Sequence, residues 1–179
     1  EDFVTRLCVT PEYFQSALWV ADKFESYGLE SVVVDTFDFT FSGTTYESAN
    51  VQAELPGTLA DPGIILITGH LDAITSTSPS TFSPGADDNA SGTAALLEVA
   101  EAFSMLPEAP KRSVLFFAFD AEERGLFGSK HWISQPTVPL DRVVAMINMD
   151  MVGRLRNDRV TVFGTRSGYG WRRLISEQN

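Results

Sequence analysis

The 179-residue sequence predicts an α/β fold, a mixed and mostly parallel central sheet flanked by helices. Three observations carry this. Residues 63–68, 113–119 and 143–149 are short apolar runs without alternation, the pattern of strands covered on both faces. Helix-like segments lie between and around them, as in βαβ units. An earlier pair of runs, 31–41 and 49–55, is rich in strand formers and interrupted by Ser42 and Gly43, which suggests an antiparallel hairpin at the sheet edge.

In chain order, Thr10, Pro11 and Glu12 read as an N-cap, a proline at the first helical position and an acid in the first turn. Phe14, Ala17, Leu18, Ala21 and Phe24 then recur at helical spacing, and Gly28 stops a helix over 11–27. In 49–55, Val51, Ala53 and Leu55 alternate with polar residues. The run 63–68 delivers Gly69, His70, Leu71 and Asp72. Residues 73–86, rich in Ser, Thr and Pro, form a long loop on the rim of the domain. A small-residue turn around Asp87 and Asp88 opens a helix over 91–103, with Ala94, Leu97, Val99 and Ala100 inward. The run 113–119 delivers Asp120, Glu122 and Glu123, a helix over 128–135 follows, and 143–149 ends in Asp150. Residues 160–163 read as a further strand and 171–177 as a last helix.

A chain of this length is expected to be a single domain with a sizeable core, 1–179. Its 24 acidic and 13 basic residues give a net charge of −11, a field that repels nucleic acid and anionic membrane surfaces. No apolar run approaches the roughly 20 residues of a membrane span. Cys8 is the single cysteine, so no intrachain disulfide framework exists. The chain starts at Glu1 with no charged-then-apolar leader, so a targeting peptide is expected to be absent or removed.

Ligand-type residues sit at the ends of the strand-like runs. In open α/β sheets ligands bind beyond the carboxyl ends of strands, so His70, Glu122, Glu123 and Asp150 are expected to converge there with Asp88. Each alone has a bland explanation, as a cap, a first-turn acid or a turn residue. Together they are ligand types at every strand end. An imidazole among carboxylates suits zinc better than calcium, which takes oxygen ligands. On an extended segment His70 and Asp72 face the same way, so Asp72 is expected to support the imidazole from behind. Asp88, with two carboxylate oxygens, can bridge two cations. Without metal, the clustered carboxylates repel and some of their pKa values rise.

The linked motifs carry a specific resemblance. His70 with Asp72, the run from Gly85 to Gly92, the run from Ala121 to Ser129, and Asn148 to Met151 resemble, in this order, the di-zinc exopeptidases that include bacterial leucyl aminopeptidases. More distantly, they resemble glutamate carboxypeptidases and the transferrin receptor ectodomain. The resemblance implies a peptide substrate and two Zn2+ ions. His70 and Asp150 would hold one ion, Asp88 would bridge, Glu123 would hold the second, and Glu122 would be the general base. Asp88 rather than Asp87 takes the bridging role when the pattern is aligned on Ser91 and Gly92. A cis peptide at Asp88–Asn89 is implied, and a secreted or periplasmic location is favoured on the same ground. The family also carries a zinc-binding histidine well downstream of the Asp150 motif. Here the only other histidine is His131, expected to be a packing residue, so the second ion is one ligand short and the chain is expected to be a fragment. An aminopeptidase is favoured over a carboxypeptidase. Two alternatives are a mono-zinc aminoacyltransferase resembling glutaminyl cyclase and a non-catalytic receptor-like domain.

Overall fold

A computed structural model describes residues 5–60, 63–74, 85–155 and 157–178. The element order is α1 (Pro11–Ser26), β1 (Glu30–Phe41), β2 (Thr44–Leu55), β3 (Ile64–His70), α2 (Ala90–Ser104), β4 (Ser113–Phe119), α3 (Phe127–Ser134), a 3-10 turn (Leu140–Arg142), β5 (Val143–Asn148) and α4 (Trp171–Glu177). One five-stranded sheet has the order β1-β2-β4-β3-β5. β3 runs parallel to β4 and β5, while β1–β2 and β2–β4 are antiparallel. The sheet is therefore mixed, with the predicted hairpin on one edge.

Thr10 caps α1 by accepting the Tyr13 N–H on its hydroxyl, and Pro11 occupies the first turn, where its missing N–H costs nothing. The buried stripe is Tyr13, Ala17, Val20, Ala21 and Phe24. Leu18, expected inward, is exposed, because Tyr13 and Val20 turn the helix by about one residue. The β1–β2 turn places Ser42 and Gly43 at φ 50 and 81, the positive pair that a tight hairpin with the twist of its strands requires.

Two cores lie on opposite faces of the sheet. On one, α1 and α2 bring Tyr13, Phe24, Leu96 and Leu97 against Val51, Ile67, Val114 and Phe116. On the other, Trp132 of α3 packs with Leu66, Leu115, Phe117 and Phe119. Alternate residues of β3 and β4 thus face different cores, which is why both strands read as unbroken apolar runs. On α2 the inward residues are Thr93, Leu96, Leu97 and Ala100, whereas Ala94, expected inward, is exposed and Val99 is half-buried.

Residues 160–163 do not form the expected strand: Val160, Val162 and Phe163 are exposed, and the neighbouring Arg159 makes no more than an isolated bridge. A short apolar run has no strand identity without a partner ladder. β5 is also open to solvent at Val144, Met146 and Ile147. Of the rim loop expected over 73–86, residues 75–84 lie outside the described residues. No helix among the described residues is long and apolar enough to cross a membrane.

Candidate metal centre

The parallel strands β3, β4 and β5 all end on the same side of the sheet, and their ends carry the candidate residues. His70 closes β3 and is buried. Its backbone is held where the ring must point: Leu71 N–H donates to Phe119 O at 2.8 Å, and the Thr93 hydroxyl donates to His70 O at 3.0 Å. Its Nδ1 lies 3.1 Å from the Asp72 carbonyl and 3.3 Å from Asp72 Oδ1. A carbonyl can only accept, so Nδ1 carries the hydrogen and Nε2 faces the site.

On that side, Nε2 lies 3.3 Å from Asp88 Oδ1, 3.4 Å from Asp150 Oδ1 and 4.0 Å from Glu122 Oε2. A bare imidazole lone pair cannot sit between carboxylate oxygens; a cation must occupy the gap, either a proton or a metal. This is visible in the proton equilibrium. Burial by itself would push His70 down, but the hydrogen bond and charge of Asp72, followed by Glu122 and Asp150, outweigh it and raise the pKa to about 9.

The spacing also fits zinc. Ligand atoms about 2.0–2.1 Å from a tetrahedral ion are about 3.3–3.4 Å apart, and the separations from His70 to Asp88 and Asp150 match that edge. Ligand atoms of His70, Asp88 and Asp150 all lie within 4.8 Å of one another.

Asp88 is placed by the turn before α2, across a cis peptide to Asn89. Its neighbour Asp87 turns away: Oδ2 pairs with Arg154 Nε at 2.9 Å, and the Ser91 hydroxyl donates to Asp87 O. Asn89, fully buried, was not anticipated from sequence beyond its place in the motif. Its Oδ1 accepts the Gly92 N–H at 2.9 Å, capping α2, and the Met151 N–H at 3.2 Å, while Nδ2 donates to Met149 O at 3.0 Å. One amide thus grips the peptide groups on both sides of Asp150 from the residue next to Asp88. A Cβ on Gly92 would lie 2.3 Å from both Asn89 Oδ1 and Met149 O, so only glycine allows this approach. Replacing Asn89 with alanine is expected to weaken zinc binding by roughly 10- to 100-fold, measured by competition with a chromophoric chelator.

Glu122 and Glu123 follow β4 on a tight loop. Their N–H groups donate to Asp72 Oδ1 and Oδ2, each at 3.2 Å, so Asp72 supports the imidazole and this loop together. Burial raises the Glu122 pKa, with Asp72, Asp150 and Asp88 adding to it against His70. Glu123 lies outside the group around His70; its Oε1 accepts the Ile74 N–H at 3.1 Å. Its pKa is also raised, first by burial. Behind the site, the Arg6 side chain donates to Leu71 O at 2.8 Å and Gly85 O at 3.3 Å, and Ala73 N–H donates to Arg6 O. A cleft of about 130 Å³ opens beside Glu122 and Asp150, walled by Phe119, Leu126 and Met146. His131 packs as expected, stacked on Phe37 and 3.3 Å from Asp35.

Comparison with known proteins places the chain among peptidases. The chain is 38% identical over 99 residues to aminopeptidase YwaD of Bacillus subtilis and 35% identical over 143 residues to leupeptin-inactivating enzyme 1 of Streptomyces exfoliatus. These alignments cover 55% and 79% of this chain, but only 20% and 30% of the relatives, so the chain spans less than a third of either. Among solved structures, a Zn-dependent exopeptidase from Parabacteroides distasonis matches with a TM-score of 0.67 at 25% identity, over 83% of this chain and 56% of that one. A zinc aminopeptidase from Bacillus subtilis shares the fold, with a TM-score of 0.77 at 18% identity over 97% of this chain and 73% of that one. The model of peptidase family M28 matches residues 50–178, a span that holds every candidate ligand on the rim, and the chain belongs to that family.

Proposed function

We propose that this chain carries the catalytic rim of a zinc-dependent exopeptidase, with an aminopeptidase favoured, acting on the terminal bond of a peptide. The observation that carries the reading is His70 Nε2 held 3.3 and 3.4 Å from Asp88 and Asp150 oxygens, with Glu122 at 4.0 Å. His70, Asp88 and Asp150 would hold one zinc ion, and Asp88 with Glu123 would contribute to a second. Zinc supplies Lewis-acid polarisation of the scissile carbonyl and acidifies water.

The protein's own groups do the rest. Glu122 stands beside the proposed ligands rather than among them, close enough to take a proton from the attacking water and return it to the leaving amine. Its burial lifts its pKa, which makes it a stronger proton acceptor than an ordinary carboxylate. Asp72 fixes the imidazole tautomer and the Glu122 loop. The names of the relatives, an aminopeptidase and a leupeptin-inactivating enzyme, support peptide chemistry. The exposed apolar edge of β5 supports reading 1–179 as one catalytic domain that packs against further polypeptide.

The test is zinc content together with hydrolysis of free and N-blocked aminoacyl anilides by the full-length protein. Two zinc ions per chain, release from the free substrate only, and loss of turnover on chelation are expected. One zinc with no hydrolysis would favour a cyclase-type transferase, and no zinc would overturn the proposal.

A further inference from the structure

Asn50 lies on β2, outside every motif that points to the site, and is fully buried. Its Oδ1 accepts the Asp120 N–H at 3.0 Å and its Nδ2 donates to Gly128 O at 3.0 Å. Gly128 N–H in turn donates to Asp120 O at 2.9 Å. The two ends of the loop that carries Glu122 and Glu123 are thereby tied to each other and to a single side-chain amide. The contact is so close that a Cβ on Gly128 would lie 2.3 Å from Asn50 Oδ1.

Within the loop, Gly125 and Leu126 N–H groups donate to Glu122 O, and Phe127 N–H donates to Ala121 O. Asp72 holds the Glu122 and Glu123 N–H groups from the His70 side. The loop is therefore clamped at its base by Asn50 and at its crest by Asp72. Removing the basal clamp leaves the buried Asp120 N–H without a partner and unties Gly128 O from β2, which the loop can relieve by moving.

We propose that Asn50 is a positioning residue for Glu122, acting through Asp120 and Gly128 without touching substrate or metal. This rests on Glu122 being the proton-transferring group. A carboxylate displaced by about 1 Å loses much of its effectiveness, of order 100-fold, without affecting how substrate binds.

The test uses Asn50→Asp and Asn50→Ser in the full-length, zinc-loaded protein. Asn50→Asp keeps the acceptor for the Asp120 N–H but places a carboxylate oxygen against Gly128 O, and Asn50→Ser is too short to span the pair. Turnover per bound zinc is expected to fall about 10- to 100-fold, with KM within about twofold, and zinc content is expected to fall only at the site that Glu123, on the same loop, would complete. Normalising to bound zinc removes any change in the folded fraction. Amide hydrogen exchange at Glu122 and Glu123 is expected to accelerate about tenfold or more, while α2 amides keep their protection. Unchanged turnover, or unchanged exchange at Glu122 and Glu123 in a folded variant, overturns the proposal. A second measurement needs no variant: the Asp120 amide of the unaltered protein is expected to be strongly protected, and rapid exchange there also overturns it. Absence of peptidase turnover in the unaltered protein would instead defeat the functional reading, and the exchange results would still decide the role of Asn50.

Discussion

Replacing Glu122 with glutamine is expected to lower turnover by about 100- to 10,000-fold while leaving zinc content unchanged. This is equivalent to roughly 3–5 kcal/mol on the barrier. The geometry separates the two quantities. Glu122 Oε2 stands 4.0 Å from His70 Nε2, farther than the Asp88 and Asp150 oxygens at 3.3 and 3.4 Å. Glutamine preserves the shape of the side chain and its loop, whose anchors are main-chain N–H groups donating to Asp72, but it cannot accept the proton. Glu123→Gln should behave differently, lowering the zinc content. Steady-state kinetics with metal analysis of both variants separates the roles. A Glu122→Gln variant that turns over within tenfold of the unaltered protein would remove Glu122 from proton transfer.

Removing the metal is expected to make stability fall as pH rises. In the metal-free protein His70 holds its proton up to a pKa of about 9, against 6.5 for an ordinary imidazole. The folded state therefore binds more protons than the unfolded chain between these values, and unfolding free energy declines with pH in that window. The stabilisation is fully present below pH 6.5 and is lost as pH passes through 9, a change on the order of 3 kcal/mol for this buried group. Glu122 and Glu123 act in the same direction at lower pH. Their raised values place their stabilising contribution below the ordinary carboxylate pKa of 4.5, and it is lost as pH climbs through their folded values. Zinc reverses the trend, because the ion takes the place of the His70 proton and binding must release it. Urea titrations of the metal-free protein from pH 5 to pH 9.5, with calorimetry of zinc binding in buffers of different ionisation enthalpy, would show both. Metal-free stability that rises over that range would contradict the proposed arrangement.

Much of the fold could be read from the sequence because its signals were local. Unbroken apolar runs marked β3 and β4, and Ser42 with Gly43 marked the hairpin turn. The candidate residues at strand ends were legible for the same reason: strand ends in a parallel sheet share one side, which groups His70, Glu122 and Asp150, while Asp88 reaches them from the turn before α2 and Glu123 lies outside the group around His70. What stayed hidden depended on packing from elsewhere in the chain. Asn50 alternates with the core residue Val51, the pattern of a solvent-facing position, yet α3 covers that side of β2, and Asn50 and Gln52 are both buried. Gln52 there accepts the Thr137 hydroxyl, itself the acceptor for Trp132 Nε1. The grip of Asn89 on both sides of Asp150 likewise joins segments 60 and 62 residues apart, a relation no periodicity encodes. At residues 160–163 composition alone proposes a strand where no ladder forms.

The hydrogen bonds from Arg6 to Leu71 and Gly85 bear on how this protein can be shortened. The match to the family model begins at residue 50, and trimming to that boundary would discard Arg6, α1, β1 and the first half of β2. It would keep every proposed ligand but remove the floor beneath two of the segments that present them. It would also strip the hairpin partner from the strand that bears Asn50. For expression or transplantation, the smallest portable unit of this site therefore begins at the N-terminal segment, some forty residues before the match to the family model starts.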